Sequence, residues 1–174
     1  MKRPSIKPIK LQVRLPRPIY QEILCDLPRP HDFASERVGF ATARIGNAGR
    51  DPQLVLVDSY APVADKDYID DPTTGARINA NAIRAAMQLA LDRQCGIFHV
   101  HLHPHHGRPR LSRLDLRELP RLIASIRNAS QSQPHGLLLF SEDCCAAFVL
   151  PPAGASLIEA VRVNVVGFPM ELWE

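Results

Sequence analysis

The chain has 174 residues, of which 45% are hydrophobic and 22% are charged, and its formal net charge is +3. These proportions are typical of a globular domain, so they exclude a disordered chain and a fibrous repeat. The length fits one domain over residues 1–174 and excludes a barrel enzyme with additional domains. A net charge this small gives no indication of a nucleic-acid partner.

The cellular compartment is indicated by the composition of the amino-terminal segment. Lys2, Arg3 and Lys7 precede no apolar run, and Pro4 and Pro8 interrupt the stretch where a signal peptide would have its hydrophobic core. No apolar stretch elsewhere approaches the roughly 18 residues that a membrane-spanning helix requires. We therefore expect a soluble cytoplasmic protein with neither a membrane nor a nucleic acid as its partner.

Hydrophobic periodicity in the first third of the chain predicts strands around one short helix. A weak strand pattern over residues 9–15 is followed by helical spacing of apolar residues over 19–27. Residues 38–45 and 53–58 are typical of two paired strands, with a hairpin turn at 46–49.

The middle of the chain is predicted to contain a surface loop, a helix and a strand. Residues 59–75 are rich in aspartate and proline, which is typical of an exposed loop with an acidic rim. Apolar residues then repeat at helical spacing over 78–89, and Gly96 is the expected C-cap of this helix. A strand is predicted over 97–103.

The last third predicts another helix and three more strands. Ser112 and Asp115 match the N-cap and N3 positions of a capping box, and Leu111 and Leu116 are placed as a hydrophobic staple. Pro120 is expected to kink or split this helix. The strands are predicted at residues 136–141, 145–150 and 161–168. Strands alternating with helices predict an α/β fold, a single mixed β-sheet flanked by helices as an α/β/α sandwich.

Five of the seven histidines fall between His99 and His106. Because side chains alternate along a strand, His99, His101 and His103 share one face, and the residues between them point into the core. Two of these imidazoles and a carboxylate from the next helix would give zinc three protein ligands and leave the fourth position open. Asp115 is the candidate third ligand.

The residues around this cluster resemble the signature of the JAMM (MPN-plus) zinc metalloproteases. That signature is a glutamate upstream, then H-[S/T]-H-P, and then S-x-x-D after a short loop. The matching residues are Glu36, His101, His103, Pro104, Ser112 and Asp115. The segment Glu36-Arg-Val-Gly39 is also similar to the family's glutamate-bearing strand, and the resemblance covers roughly residues 17–150.

The resemblance implies a fold, a reaction and partners. The fold would be MPN/JAB-like, with Zn²⁺ held by His101, His103 and Asp115. Glu36 would act as general base and acid, and Ser112 would stabilise the oxyanion. The family commonly cleaves the peptide or isopeptide bond after the C-terminus of ubiquitin or a ubiquitin-like protein. A small bacterial member would act alongside activating-enzyme-like and conjugating-enzyme-like proteins.

Two further regions are candidate contacts with such a substrate. The acidic loop lies where the family has an insertion that touches the ubiquitin-like tail, and Tyr60, Tyr68 and Ile69 would be its anchors. Arg110 and Arg113 begin a basic face on the helix after the histidines, which would suit an acidic partner surface or a C-terminal carboxylate. A solvated helix face is the simpler interpretation of the arginines.

Two other functions remain open from the sequence. His99-Val-His101-Leu-His103 is similar to the motif of the histidine-triad nucleotide hydrolases, in which His101 would attack a phosphate without metal. A non-catalytic, zinc-stabilised MPN-like scaffold is the other alternative. We expect His99, His105 and His106 to lie at the surface or beside the ligands, because zinc with one open position needs only three protein ligands.

Overall fold

The computed structural model describes residues 9–46 and 49–174. The amino-terminal segment discussed above and the centre of the predicted turn, Asn47 and Ala48, lie outside these residues. In the described residues, one sheet of nine strands is accompanied by three α-helices. The strands are β1 (Leu11–Pro16), β2 (Val38–Ile45), β3 (Gln53–Pro62), β4 (Gly96–Leu102), β5 (His135–Phe140), β6 (Cys145–Leu150), β7 (Ile158–Glu159), β8 (Arg162–Val166) and β9 (Glu171–Trp173). The helices are α1 (Arg17–Asp26), α2 (Ala80–Arg93) and α3 (Arg113–Arg127).

The sheet is mixed, as predicted, and it includes strands from both ends of the described chain. Its order is β7-β6-β5-β4-β2-β3-β1-β8-β9. β1 runs parallel to β3 and β8, and β4 runs parallel to β5, whereas the other neighbours are antiparallel. The sheet curls until β6 contacts β8. None of the helices in the described ranges has the length and apolar character needed to cross a bilayer.

The helices bury opposite faces of the sheet. Phe98 and Val100 of β4 belong to the same hydrophobic cluster as Ile23 of α1. Ile97, which points the other way, packs in a cluster with Ala86 of α2. α3 buries Leu119 and Ile123 against β5 on that second side. His99 and His101 alternate along β4 with the residues of the α1 cluster and therefore face α2 and α3.

The hairpin of β2 and β3 is confirmed, but β3 is longer than predicted. It continues through Pro62, so the first residues of the predicted 59–75 loop belong to the sheet. The expected C-cap at Gly96 is wrong, because Gln94 ends α2 in the left-handed conformation with φ 49°. Gly96 instead begins β4, where a Cβ would overlap the carbonyl oxygen of Pro134.

The predicted capping box begins α3, and the helix continues through Pro120 without being split. Leu116 is 61% exposed, so the predicted staple does not form a buried contact. β5, β6 and β8 lie within a residue or two of their predicted bounds. The sequence pattern did not predict β7 and β9, because two or three residues are too few for a period to appear.

Candidate metal centre

Three elements meet at the candidate centre. His101 lies near the end of β4, and it pairs with Val38 at the start of the antiparallel strand β2. His103 follows the end of β4, where its N–H donates to the carbonyl of Phe140 at 2.9 Å. Glu36 precedes β2 by two residues. In an antiparallel pair the start of one strand lies beside the end of the other. Glu36 therefore lies near the two histidines, although more than 60 residues separate them along the chain.

Asp115 reaches the same point from the first turn of α3. The loop between His103 and α3 is tied to the β5–β6 turn, since the Gly107 N–H donates to the Asp143 carboxylate at 2.7 Å. The Ser112 N–H then donates to Oδ2 of Asp115 at 2.7 Å, and the Asp115 N–H donates to the Ser112 hydroxyl at 3.1 Å. This reciprocal cap fixes the carboxylate above β4.

The candidate ligand atoms of His101, His103 and Asp115 lie at separations close to those of a tetrahedral zinc site. Nε2 of His101 lies 3.2 Å from Nε2 of His103 and 3.4 Å from Oδ1 of Asp115. Nε2 of His103 lies 3.5 Å from Oδ2 of Asp115. Zinc bonds of about 2.0–2.2 Å at tetrahedral angles place neighbouring ligand atoms roughly 3.3–3.6 Å apart. Two imidazoles and one carboxylate are also a common donor set of catalytic zinc, so these residues fit the ion that the resemblance implies.

Glu36 lies beside the two histidines, and the three side chains form a group that could hold a metal ion. A carboxylate oxygen of Glu36 and a ring nitrogen each of His101 and His103 lie within 4.8 Å of one another. Burial raises the pKa of Glu36, while the charge of His101 lowers it and that of Asp115 raises it, with a net upward shift. A carboxylate whose pKa is raised toward neutrality is better matched to proton transfer.

Two neighbours hold Glu36 in place. Its N–H donates to the carbonyl of Gly75 at 3.0 Å. The next residue, Arg37, is buried, and its guanidinium donates to Asp65 at 2.6 Å and to the carbonyls of Arg29 and Pro30. The backbone on either side of the Glu36 side chain is therefore fixed.

Gly75 also packs directly on the Glu36 carboxyl. A Cβ at position 75 would lie 2.6 Å from Cδ of Glu36 and 2.8 Å from each carboxylate oxygen. Any side chain there would displace the carboxyl, because contacts this short do not occur between non-bonded carbon atoms. The absence of a side chain at Gly75 is therefore a condition for the position of Glu36.

The environment keeps Asp115 charged. Burial by itself would raise the pKa of Asp115, but the hydrogen bond and charge of His101 and the hydrogen bonds from Ser112 bring it below its ordinary value. For His103, burial and the charge of His101 lower the pKa, which a hydrogen bond to the backbone of Arg110 partly offsets. A charged carboxylate beside an imidazole that resists protonation suits the binding of a cation.

His99 is the neighbour of His101 on the side away from Asp115. Nδ1 of His99 lies 3.3 Å from Nδ1 of His101, and the ring meets Phe40 edge-on with centroids 5.8 Å apart. Burial, with a smaller repulsion from His101, lowers the pKa of His99 to about 3. His99 thus lies beside the candidate ligand His101, which is one of the two positions expected for it from the sequence.

Ser112 lies at the exposed start of α3. Its hydroxyl oxygen accepts the N–H of Asp115 as part of the cap. A hydroxyl that accepts in this way keeps its own proton free to donate. The cap therefore leaves Ser112 able to act as a hydrogen-bond donor toward the site.

A cleft of about 660 Å³ adjoins the cluster between the acidic loop and α3. His99 and Asp115 both contribute to its wall, so the cleft reaches the candidate centre. Its apolar lining includes Ile78, Leu114 and Leu122.

The predicted substrate anchors Tyr60 and Tyr68 are buried rather than exposed. Tyr60 is 7% exposed, and its hydroxyl donates to the buried Asp26 at 2.6 Å. Tyr68 is 6% exposed, and its hydroxyl accepts the N–H of Val38 at 2.8 Å. Both residues were assigned to an exposed loop, whereas Tyr60 lies in β3 and Tyr68 packs beneath the loop.

The other predicted contacts are accessible. Ile69 is 40% exposed, and Arg110 and Arg113 are exposed on the approach to α3. His105 and His106 are exposed as well, and His106 lies 3.0 Å from Glu142. These histidines lie at the surface, as expected.

Gly75 and Arg37 contribute to the site without any motif in the sequence to indicate it. Both act on Glu36 through the folded chain, and no local pattern marks them. No model of a protein family matches this chain, and no curated protein matches it significantly. The function proposed below is therefore inferred from the side chains of the centre.

Proposed function

We propose that the chain is a zinc-dependent metallopeptidase of the JAMM (MPN-plus) type. Its substrate would be the peptide or isopeptide bond that follows the C-terminus of ubiquitin or a ubiquitin-like protein, cleaved in the cytoplasm. The fold would accordingly be MPN/JAB-like, a finer assignment than the mixed α/β architecture described above.

The spacing of the ligating atoms carries this proposal. The 3.2 and 3.4 Å separations from His101 Nε2 to His103 and Asp115 are close to the edges of a tetrahedral zinc site, which are about 3.3–3.6 Å long. A fourth group, the half-buried Glu36, stands within 4.8 Å of the two histidines. Three ligands with a base beside the open position are the arrangement of a hydrolytic centre rather than of a closed structural one.

The side chains of this chain would divide the reaction between them. Zinc bound here would supply a Lewis acid that polarises the scissile carbonyl and makes a water molecule acidic near neutral pH. Glu36 takes the proton of the attacking water and then delivers it to the leaving amine. The Ser112 hydroxyl donates a hydrogen bond to the oxygen that becomes negative. Asp115 keeps its second oxygen bonded to the Ser112 N–H, which holds its orientation.

The cleft beside α3 supports a polypeptide substrate. It is open, partly apolar, and continuous with His99 and Asp115 at the cluster. An extended chain end would lie there beside Asp115, and Ile69, Arg110 and Arg113 are exposed for contact with the folded part of the substrate.

The burial of His101 disfavours the histidine-triad alternative. His101 is 2% exposed, and its two ring nitrogens face His99 on one side and His103 with Asp115 on the other. A nucleophile has to approach the phosphorus atom directly, and this ring has no free edge to do so.

The test is cleavage of ubiquitin and ubiquitin-like proteins fused at their C-termini to a short peptide, by the purified full chain, with and without a zinc chelator. Glu36→Gln should lower kcat by about 10²–10⁴-fold while zinc remains near one ion per chain, because only the proton-transfer group is lost. Glu22→Gln, an exposed glutamate on α1, is the matched control and should retain full activity.

Cleavage that survives both chelation and Glu36→Gln would refute the proposal. Hydrolysis of a nucleoside phosphoramidate without metal would favour the histidine-triad alternative. Tight zinc binding without turnover of any fusion would favour the scaffold.

A further inference from the structure

His101 and His103 differ in the group that lies next to the ring on the side away from Asp115. The ring of His103 lies beside the backbone of Arg110, which raises its pKa as a hydrogen-bond partner. His101 has a second histidine instead, with the two Nδ1 atoms 3.3 Å apart. Since His101 is 2% exposed, solvent cannot replace that partner.

The tautomer of His101 decides whether its Nε2 can bind a metal. A neutral imidazole carries one proton, so a free lone pair on Nε2 requires the proton to be on Nδ1. That buried N–H needs an acceptor, because an unsatisfied donor costs about 1–3 kcal/mol. Nδ1 of His99 is the atom at hydrogen-bond distance. It can accept only if the proton of His99 is on its own Nε2.

We propose that His99 is a positioning residue, whose Nδ1 accepts the Nδ1–H of His101 and thereby holds His101 in the tautomer that presents Nε2 to the metal. The inference rests on the proposed metal centre and does not depend on which bond that centre cleaves. Carboxylates and backbone carbonyls are the usual partners in this position. A neutral imidazole does the same work without adding a negative charge beside Asp115.

The fold keeps the His99 ring in the orientation that this role requires. His99 and His101 are two apart on β4 and so share the face toward α2 and α3. Phe40, its neighbour on β2, contacts the ring edge-on and restricts its rotation. His99 is half-buried and lines the cleft, so part of its ring is open on that side.

Three substitutions of His99 distinguish a hydrogen-bond acceptor for the His101 Nδ1–H from a ring that only fills space. In asparagine, Oδ1 is bonded to Cγ as Nδ1 is in histidine, so His99→Asn keeps an acceptor near the same place. His99→Phe keeps a ring but removes the acceptor, and His99→Gln carries its acceptor one bond farther out. We expect zinc affinity to fall about 10–100-fold in His99→Phe and His99→Gln, and to stay within a few-fold of the parent in His99→Asn.

The direct test is nitrogen-15 spectroscopy of the zinc-loaded full chain with labelled histidines. His99 should carry its proton on Nε2 and His101 on Nδ1, with a hydrogen-bonded signal between the two Nδ1 atoms. A proton on Nδ1 of His99, or equal zinc affinities of the Phe and Asn variants, would overturn the inference.

The outcomes also distinguish this inference from the proposed function. Correct tautomers in a zinc protein that cleaves no fusion would support His99 and refute the peptidase. Wrong tautomers in an active zinc enzyme would refute His99 alone. Failure to bind zinc at all would refute both, and the Asn and Gln pair decides the matter if the Phe variant does not fold.

Discussion

Two histidine environments lie at opposite ends of the neighbouring parallel strands β4 and β5. At the start of β5, His135 is fully buried, its Nδ1 accepts the Ile97 N–H at 3.1 Å, and its Nε2 lies 2.8 Å from the Ser130 carbonyl. At the end of β4, His101 and His103 face each other and Asp115. Both ring nitrogens of His135 have backbone partners, whereas Nε2 of His101 faces the ring of His103 and the carboxylate of Asp115.

This difference separates a structural histidine from a candidate ligand. Burial is common to His135 and His101, so burial alone does not indicate function. The partners do, because a ring bonded to a backbone donor and a backbone acceptor has no lone pair to give to a metal.

Removal of a ligand should have the largest effect. His103→Ala should weaken zinc binding by more than the roughly 100-fold that loss of an outer hydrogen-bond partner causes, and activity should vanish with the metal. His105→Ala, two residues along and exposed, is the matched control and should bind zinc normally. Zinc titration against a competing chelator measures both, and equal affinities would remove His103 from the centre.

Displacement of the Glu36 carboxyl should have the next largest effect. Gly75→Ala places a methyl group against that carboxyl, so we expect kcat to fall about 100-fold, as misplacement by about 1 Å can cause. Zinc content should not change. In a Glu36→Gln background the same substitution should cause no further loss. An additional loss in the double variant would mean that Gly75 acts by another route.

His135 should affect stability rather than metal binding. His135→Phe leaves the Ile97 N–H buried without its partner, which should cost about 1–3 kcal/mol of unfolding free energy, while the Ser130 carbonyl keeps the N–H of Gln133 as a donor. Urea denaturation measures this loss, and the folded fraction should still bind one zinc ion. Loss of zinc in folded His135→Phe would break the contrast between the two environments.

The difference in unfolding free energy between the parent and His135→Phe should depend on pH. Burial lowers the pKa of His135, so below about pH 6.5 the unfolded chain binds a proton that the folded chain does not. Stability therefore falls on acidification through this window. The stability gap between the parent and His135→Phe should narrow there by up to about 1.4 kcal/mol per pH unit, while titration of the metal centre cancels in the difference.

The sequence predicted those features that depend on local period and spacing. Alternation along β4 placed His101 and His103 on one face, and the capping box placed Asp115 one turn into α3. Tyr60 was placed in a loop because the composition after Ser59 concealed that β3 continues through Pro62. Gly75 could not be predicted, since its contact with Glu36 exists only after two distant loops meet.

The central claim is that His101, His103 and Asp115 bind zinc beside Glu36. Zinc K-edge absorption of the purified full chain tests it most directly, because scattering distances identify the ligand atoms. The account predicts one zinc ion with about two imidazoles and otherwise oxygen ligands at about 2.0–2.2 Å. A chain without zinc, or sulfur ligands at about 2.3 Å, would contradict it.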